Sequence, residues 1–168
     1  MSAIILKLFD IMRLRGGPQD LPEQMPQART LAVILALVYI AEGFVADSIL
    51  GEPDTAPRSL LAITVQFVIV IALLNWRGMA GRMMQTIAAL AGVGAIFGLL
   101  SVVLITQADS GENQPLLALV WVSAFLWSLA VDAHIDRHAL SISMSQGVLV
   151  AVVIFAFNFL VGQWVFVN

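Results

Sequence analysis

The sequence has no cysteine and few charged residues. Among its 168 residues, 11% are Asp, Glu, Lys or Arg and 60% are hydrophobic, whereas soluble domains carry about 25% charged residues. The absence of cysteine excludes disulfides, thiolate metal sites and cysteine nucleophiles. So few charges cannot cover a water-facing surface, and the composition therefore indicates an integral membrane protein.

Basic charge is also scarce. Eight Lys and Arg residues stand against eleven Asp and Glu residues, which gives a net charge of −3. No basic stripe of the kind that follows phosphates is present, and we expect no nucleic-acid partner. The first apolar stretch is interrupted at Lys7, so a cleavable signal peptide is not expected either.

Five apolar runs have about the 20 residues that a helix needs to cross the hydrocarbon core. The runs are approximately Thr30–Leu50, Ser59–Trp76, Met83–Ile105, Pro115–Val131 and Gly147–Phe166. Strict two-residue alternation is absent, which argues against a transmembrane barrel. The predicted fold is an all-α integral membrane protein with five transmembrane helices preceded by a short interfacial amphipathic helix.

The basic residues predict how this bundle is oriented. With the N-terminus in the cytoplasm, seven of the eight Lys and Arg residues lie inside and only Arg58 lies outside. The prediction is a multi-pass chain with a cytoplasmic N-terminus and a periplasmic C-terminus.

Residues 1–29 are predicted to form a cytoplasmic interfacial helix and a Gly/Pro-rich elbow, and residues 30–168 the five-helix transmembrane domain. On a helix over residues 3–14, the polar and the apolar side chains lie on different sides, as in helices that lie in the membrane interface. Gly16 and Gly17 should end this helix. Pro18, Pro22 and Pro26 should then keep the chain extended.

The elbow has two interpretations. It is either a solvated linker or a surface on which a partner docks, and the candidate docking residues are Arg13, Arg15, Pro18, Asp20 and Pro22.

Two segments carry a resemblance to known proteins. "RLRGGPQDLP" is similar to the opening of a group of small bacterial inner-membrane proteins whose five-span, N-in layout resembles that of Yip1-type proteins. "IDRHALSISMSQGVLVAVV" is similar to the part of those proteins that runs from the last cytoplasmic loop into the fifth span. The resemblance implies a non-enzymatic protein of the bacterial inner membrane that associates with other membrane proteins, and it implies no site residues.

Glu42 is the candidate polar site, because it lies about two-thirds of the way along the first span. An ionisable group at that depth must face protein, water or a partner. It either serves as a proton or cation relay, or contacts a partner subunit, or is held by hydrogen bonds inside the bundle. Gln66, Asn158 and Gln163 are the intramembrane amides that could bond to it. Asp47 is five residues away and on another helix face.

The segment 132–141, "DAHIDRHALS", is the densest polar cluster and is predicted to be a wet cytoplasmic loop at a helix end. His134 and His138 are four residues apart, a spacing that can place two imidazoles on one metal. Further ligands are missing from that face, so solvated charges are the expected state and no metal or other cofactor is predicted.

Small residues in the third run predict close helix packing. Gly94 and Gly98 form a GxxxG pair, a motif that lets helix backbones approach in lipid. We expect this run to be the packing centre of the monomer.

Three functions are compatible with these features. The favoured one is a non-enzymatic accessory or scaffold protein that packs against other integral membrane proteins in a larger complex, or with further copies of itself. The alternative is a small proton- or cation-coupled transporter or channel that uses Glu42, for which intramembrane charge is scarce in the sequence. A membrane enzyme built on residues 132–138 has the least support.

Overall fold

The computed structural model describes residues 2–22, 25–109 and 113–166. These residues form six α-helices: α1 (Ser2–Met12), α2 (Met25–Leu50), α3 (Thr55–Trp76), α4 (Met83–Ile105), α5 (Pro115–Leu140) and α6 (Met144–Phe166). Two short 3₁₀ turns, Pro18–Asp20 and Ala80–Arg82, precede α2 and α4. The all-helical fold class is confirmed.

Five of these helices, α2 to α6, are long and apolar enough to cross a membrane, as predicted. The largest difference from the prediction is in α5, which continues to Leu140 instead of ending near Val131. The segment that was expected to be a wet loop is therefore helical, and the chain turns only at Ser141, which has a left-handed conformation with φ 52°. At 1.5 Å per residue, the 26 residues of α5 span roughly 39 Å.

The central helix of the bundle is α4. Half of its most apolar stretch is buried, against 11–22% for the other four long helices. A Cβ placed on Gly98 would lie 2.7 Å from Cγ1 of Val38, and one on Gly94 would lie 3.2 Å from Cδ1 of Leu35. Both glycines thus face α2, and the absence of side chains there lets the two helices approach closely.

The N-terminal helix α1 packs into the same core as the long helices. Leu8 and Ile11 are buried together with residues of α4 and α5, and the side chain of Leu8 occupies the space beside Gly92. Leu6 and Phe9 stay exposed on another side of α1. The helix α1 thus contacts the long helices directly, and residue 30, where the transmembrane domain was predicted to begin, lies inside α2.

The chain after α1 differs from the predicted extended elbow. The helix ends at Met12, and the left-handed residue that turns the chain is Leu14, with φ 60°, rather than Gly16 or Gly17. Pro18 starts a 3₁₀ turn, and Pro26 lies in the first turn of α2. Both positions are compatible with the fixed φ of proline, and this fixed φ alone does not require an extended chain.

Side chains of α4 and α5 hold the N-terminal segment in place. Gln85 Nε2 donates a hydrogen bond to the carbonyl of Leu21 at 2.7 Å, and His134 Nε2 lies 2.7 Å from the carbonyl oxygen of Gly16, to which it must donate.

Arg82 Nη1 donates to the carbonyls of His138 and Ala139 at 3.1 and 3.2 Å. Arg82 thereby supplies hydrogen bonds to carbonyls of the last turn of α5, which have no partner within the helix.

Candidate intramembrane polar site

Glu42 lies inside the bundle, where α2 and α4 meet. Its Oε1 accepts a hydrogen bond from the hydroxyl of Ser101 on α4. The two residues border a cavity of about 300 Å³ to which Tyr39 and Gln66 also contribute. Gly43, the next residue, packs against Ala56 so closely that a side chain there would collide with it. This contact brings α3 against α2 beside Glu42.

None of the three amides predicted to bond to Glu42 does so within the described residues. Gln66 borders the same cavity, but its Nε2 donates to Oδ2 of Asp132 at 3.4 Å. Asn158 borders a different cavity, and Gln163 is exposed. The observed partner, Ser101, is 59 residues away in sequence. No local pattern could have indicated this contact, because only the α2–α4 packing brings the two residues together.

A second cavity, of about 150 Å³, lies next to the first and shares Gln66, Phe125 and Ser128 with it. Asp132 and Asp136 of α5 and Asn158 of α6 border it. Asp136 is 2% exposed, so the prediction of a solvated charge is wrong at this position. The reason is that α5 continues through the segment and turns this residue toward α6.

The two cavities together contain a row of polar groups that crosses the bundle from α2 to α6. Within the described residues, Lys, Arg and His are absent from the lining of both cavities. Amide and hydroxyl groups are therefore the polar neighbours of the three carboxylates, which are Glu42, Asp132 and Asp136. Ionisable groups so placed are costly in a membrane and usually mark an ion or proton pathway.

The two histidines are also part of the packed structure. His134 is 4% exposed, and its ring lies edge-on to that of His138 with centroids 4.7 Å apart. The i, i+4 spacing thus brings the imidazoles together. In the part of the chain that the structure describes, no group of three or more His, Cys, Asp or Glu side chains is placed to hold a metal.

The predicted docking residues do not form one exposed surface. Arg13, Arg15 and Asp20 are exposed, Pro22 is half-buried, and Pro18 is buried. The segment is bonded within itself as well: the backbone N–H of Gly17 donates to Oδ2 of Asp20 at 2.8 Å, and Lys7 Nζ donates to the Asp20 carbonyl.

Comparison of the chain with protein-family models, with curated proteins and with solved structures found no match.

Proposed function

We propose that this protein moves protons or small cations across a membrane, with Glu42 as an essential relay group. The observation that supports the proposal is the arrangement of Glu42 and Asp132 in adjoining cavities that share Gln66. Asp132 is bonded to that glutamine and Glu42 to Ser101. Carboxylates inside membrane bundles form proton relays and ion pathways in pumps and transporters.

Intramembrane charge is scarce when only the apolar runs of the sequence are counted, and this scarcity disfavours transport. The longer α5 changes this balance, because Asp132 and Asp136 belong to a helix that can itself span a membrane. Three carboxylates, instead of one, then lie along the bundle. Bilayer-embedded carboxylates of this kind are functional candidates by default, since their burial is otherwise only a cost.

The proposed setting is the bacterial inner membrane, with the N-terminus in the cytoplasm. The basic residues support this orientation through the positive-inside rule. In that orientation Asp136 lies nearer the cytoplasm than Asp132, and Glu42 lies nearer the periplasm.

The test is a flux assay in liposomes. The full-length protein is reconstituted with a pH-sensitive or a Na⁺-sensitive dye inside, and ion movement is followed after a potassium diffusion potential is imposed. Wild-type protein should give flux, and Glu42→Gln should reduce it at least tenfold, because the amide can neither take up a proton nor attract a cation with a negative charge. Asp47→Asn is the matched control: it removes an exposed carboxylate five residues away and should leave the flux unchanged.

Two results would contradict the proposal. One is the absence of flux from wild-type protein driven by a proton, sodium or potassium gradient. The other is equal flux from wild-type protein and Glu42→Gln, which would mean that ions cross without this group.

A role as an accessory or scaffold protein is the second candidate. It is favoured by α6, whose outward side chains are mostly apolar. No atom of the described residues lies within 4 Å of a Cβ placed on Gly162 of this helix. A second helix could pack at such a small residue, and the resemblance to Yip1-type proteins points the same way. Native mass spectrometry of the tagged protein from its own membrane tests this role. Other polypeptides that co-purify in fixed stoichiometry would support it. Protein that is extracted from the membrane without any companion polypeptide would contradict it.

A further inference from the structure

The cavity between α5 and α6 contains two buried oxygen atoms that have no hydrogen-bond partner among the described residues. They are Oδ1 of Asp136 and Oδ1 of Asn158. Buried polar atoms in folded proteins almost always have a partner, because an unpaired one costs free energy. Two such atoms in one cavity, on two different helices, indicate a place where something else supplies the missing interaction.

The polar groups that face this cavity mostly offer oxygen atoms that can bind a metal ion. Asp132 and Asp136 provide carboxylate oxygens, Asn158 provides an amide oxygen, and Ser128 provides a hydroxyl. The hydroxyl hydrogen of Ser128 is used, since it is donated to the carbonyl of Phe125 at 2.8 Å. The oxygen lone pairs of Ser128 stay available. An all-oxygen set of this kind suits hard cations, rather than the softer metals that prefer imidazole or thiolate ligands.

The geometry of α5 places the two carboxylates suitably for a shared ligand. Asp132 and Asp136 are four residues apart, so they are neighbours on one face of the helix. Gln66 Nε2 donates to Oδ2 of Asp132, which orients this carboxylate and leaves its other oxygen for a ligand. Within the described residues, neither carboxylate has an ion-pair partner, so their negative charge is not neutralised by a side chain.

We propose that Asp132, Asp136 and Asn158 bind a monovalent metal cation of the size of Na⁺. Two carboxylates are fewer than tight sites for divalent cations usually offer, since affinity for those ions follows the ligand charge. The cavity of about 150 Å³ has room for one such ion and its remaining waters. This inference rests on the proposed function, for which it identifies the ion and its binding site.

The experiment measures how Na⁺ changes the thermal unfolding of the full-length protein in mild detergent. A ligand that binds only the folded state raises the unfolding temperature until the site is saturated. We expect a saturable rise with NaCl and none with choline chloride at the same ionic strength. Asp136→Asn and Asn158→Leu should each weaken the apparent affinity at least tenfold, and Asp47→Asn should not change it.

Several outcomes would overturn the inference, whether or not the variants fold. In wild-type protein, no difference between NaCl and choline chloride would exclude the site. A rise with CaCl₂ but not with NaCl would exclude the monovalent assignment. A rise of equal size in folded Asp136→Asn would place the bound ion elsewhere.

The liposome assay separates this inference from the proposed function. Glu42→Gln should abolish flux and keep the Na⁺-dependent rise, because Glu42 is not among the lining residues of this cavity. Flux without a Na⁺-dependent rise would overturn the binding site alone. A Na⁺-dependent rise without flux would overturn the transport proposal and keep the site.

Discussion

The helices α4 and α6 are almost equally apolar, yet they occupy opposite positions in the fold. Their most apolar stretches have mean hydropathies of 2.5 and 2.3, but 50% of the first is buried and only 11% of the second. Six of the thirteen buried residues of α4 are Ala or Gly, whereas α6 presents Phe155, Phe157 and Phe159 outward. In this protein the size of the side chains, and not their hydropathy, separates the central helix from the peripheral one.

The physical reason lies in what drives helix association in lipid. Lipid tails are as apolar as the side chains, so burial alone gives little gain, and close van der Waals packing decides which helices associate. Small residues such as Gly94 and Gly98 allow that packing, and large aromatic residues fill space more easily in contact with lipid. A large side chain should therefore destabilise the protein more on α4 than on α6.

The largest effect should come from filling the α2–α4 contact. Gly98→Leu would push a side chain into Val38 and Tyr39, where even a Cβ would lie 2.7 and 3.1 Å from the nearest atoms. We expect a loss of about 3 kcal/mol in the free energy of unfolding, the upper part of the usual range for overpacking. Denaturation in mixed micelles measures it.

Gly162→Leu is the matched substitution on α6, where no atom in the described part of the chain lies within 4 Å of an added Cβ. It should change the stability by no more than about 0.5 kcal/mol, as substitutions at open positions usually do. Equal destabilisation by the two variants would mean that α6 is as tightly packed as α4 and that the comparison is wrong.

An effect smaller than that of Gly98→Leu is expected where α1 packs on α4. Leu8→Ala removes a buried side chain that lies against Gly92, and we expect a loss of about 2 kcal/mol, at the lower limit for buried leucine. Leu6→Ala, at an exposed position of the same helix, is the control and should have little effect. If α1 only lay on the membrane surface, apart from the bundle, the two variants would be equally stable.

The smallest effect should come from the polar contact between the start of α4 and the end of α5. Arg82→Gln would remove the hydrogen bonds to the carbonyls of His138 and Ala139. We expect a loss of about 1 kcal/mol, because the arginine is exposed and solvent replaces part of each bond. The exposed Arg13 provides the control, Arg13→Gln. Indistinguishable unfolding curves for the two variants would show that Arg82 does not tie these helices together.

The sequence predicted correctly those features of the fold that depend on a single segment of the chain. The runs ending at Leu50, Trp76, Ile105 and Phe166 were found because about 20 consecutive apolar residues have few alternatives to a membrane helix. The end of α5 was missed because the apolar run and the helix do not end at the same residue. Asp132 lowers the local hydropathy and ends the apolar run at Val131, although helical backbone continues to Leu140.

The candidate site was predictable only in part. Glu42 could be singled out, because a carboxylate within an apolar run is conspicuous by itself. Ser101 and Asp136 could not be, since a serine in a membrane helix is ordinary and an aspartate near a helix end is normally solvated. Their roles depend on contacts with α2 and α6, which lie far away along the chain.

By itself, the sequence determined the number of membrane helices, their approximate limits and the presence of a carboxylate among them. These are properties of single segments, set by the cost of placing polar backbone and charge in hydrocarbon. Only the tertiary structure decided that α1 joins the core and that polar residues of five helices line two adjoining cavities. Those features depend on the fit between surfaces, and that fit is defined only when the helices have come together.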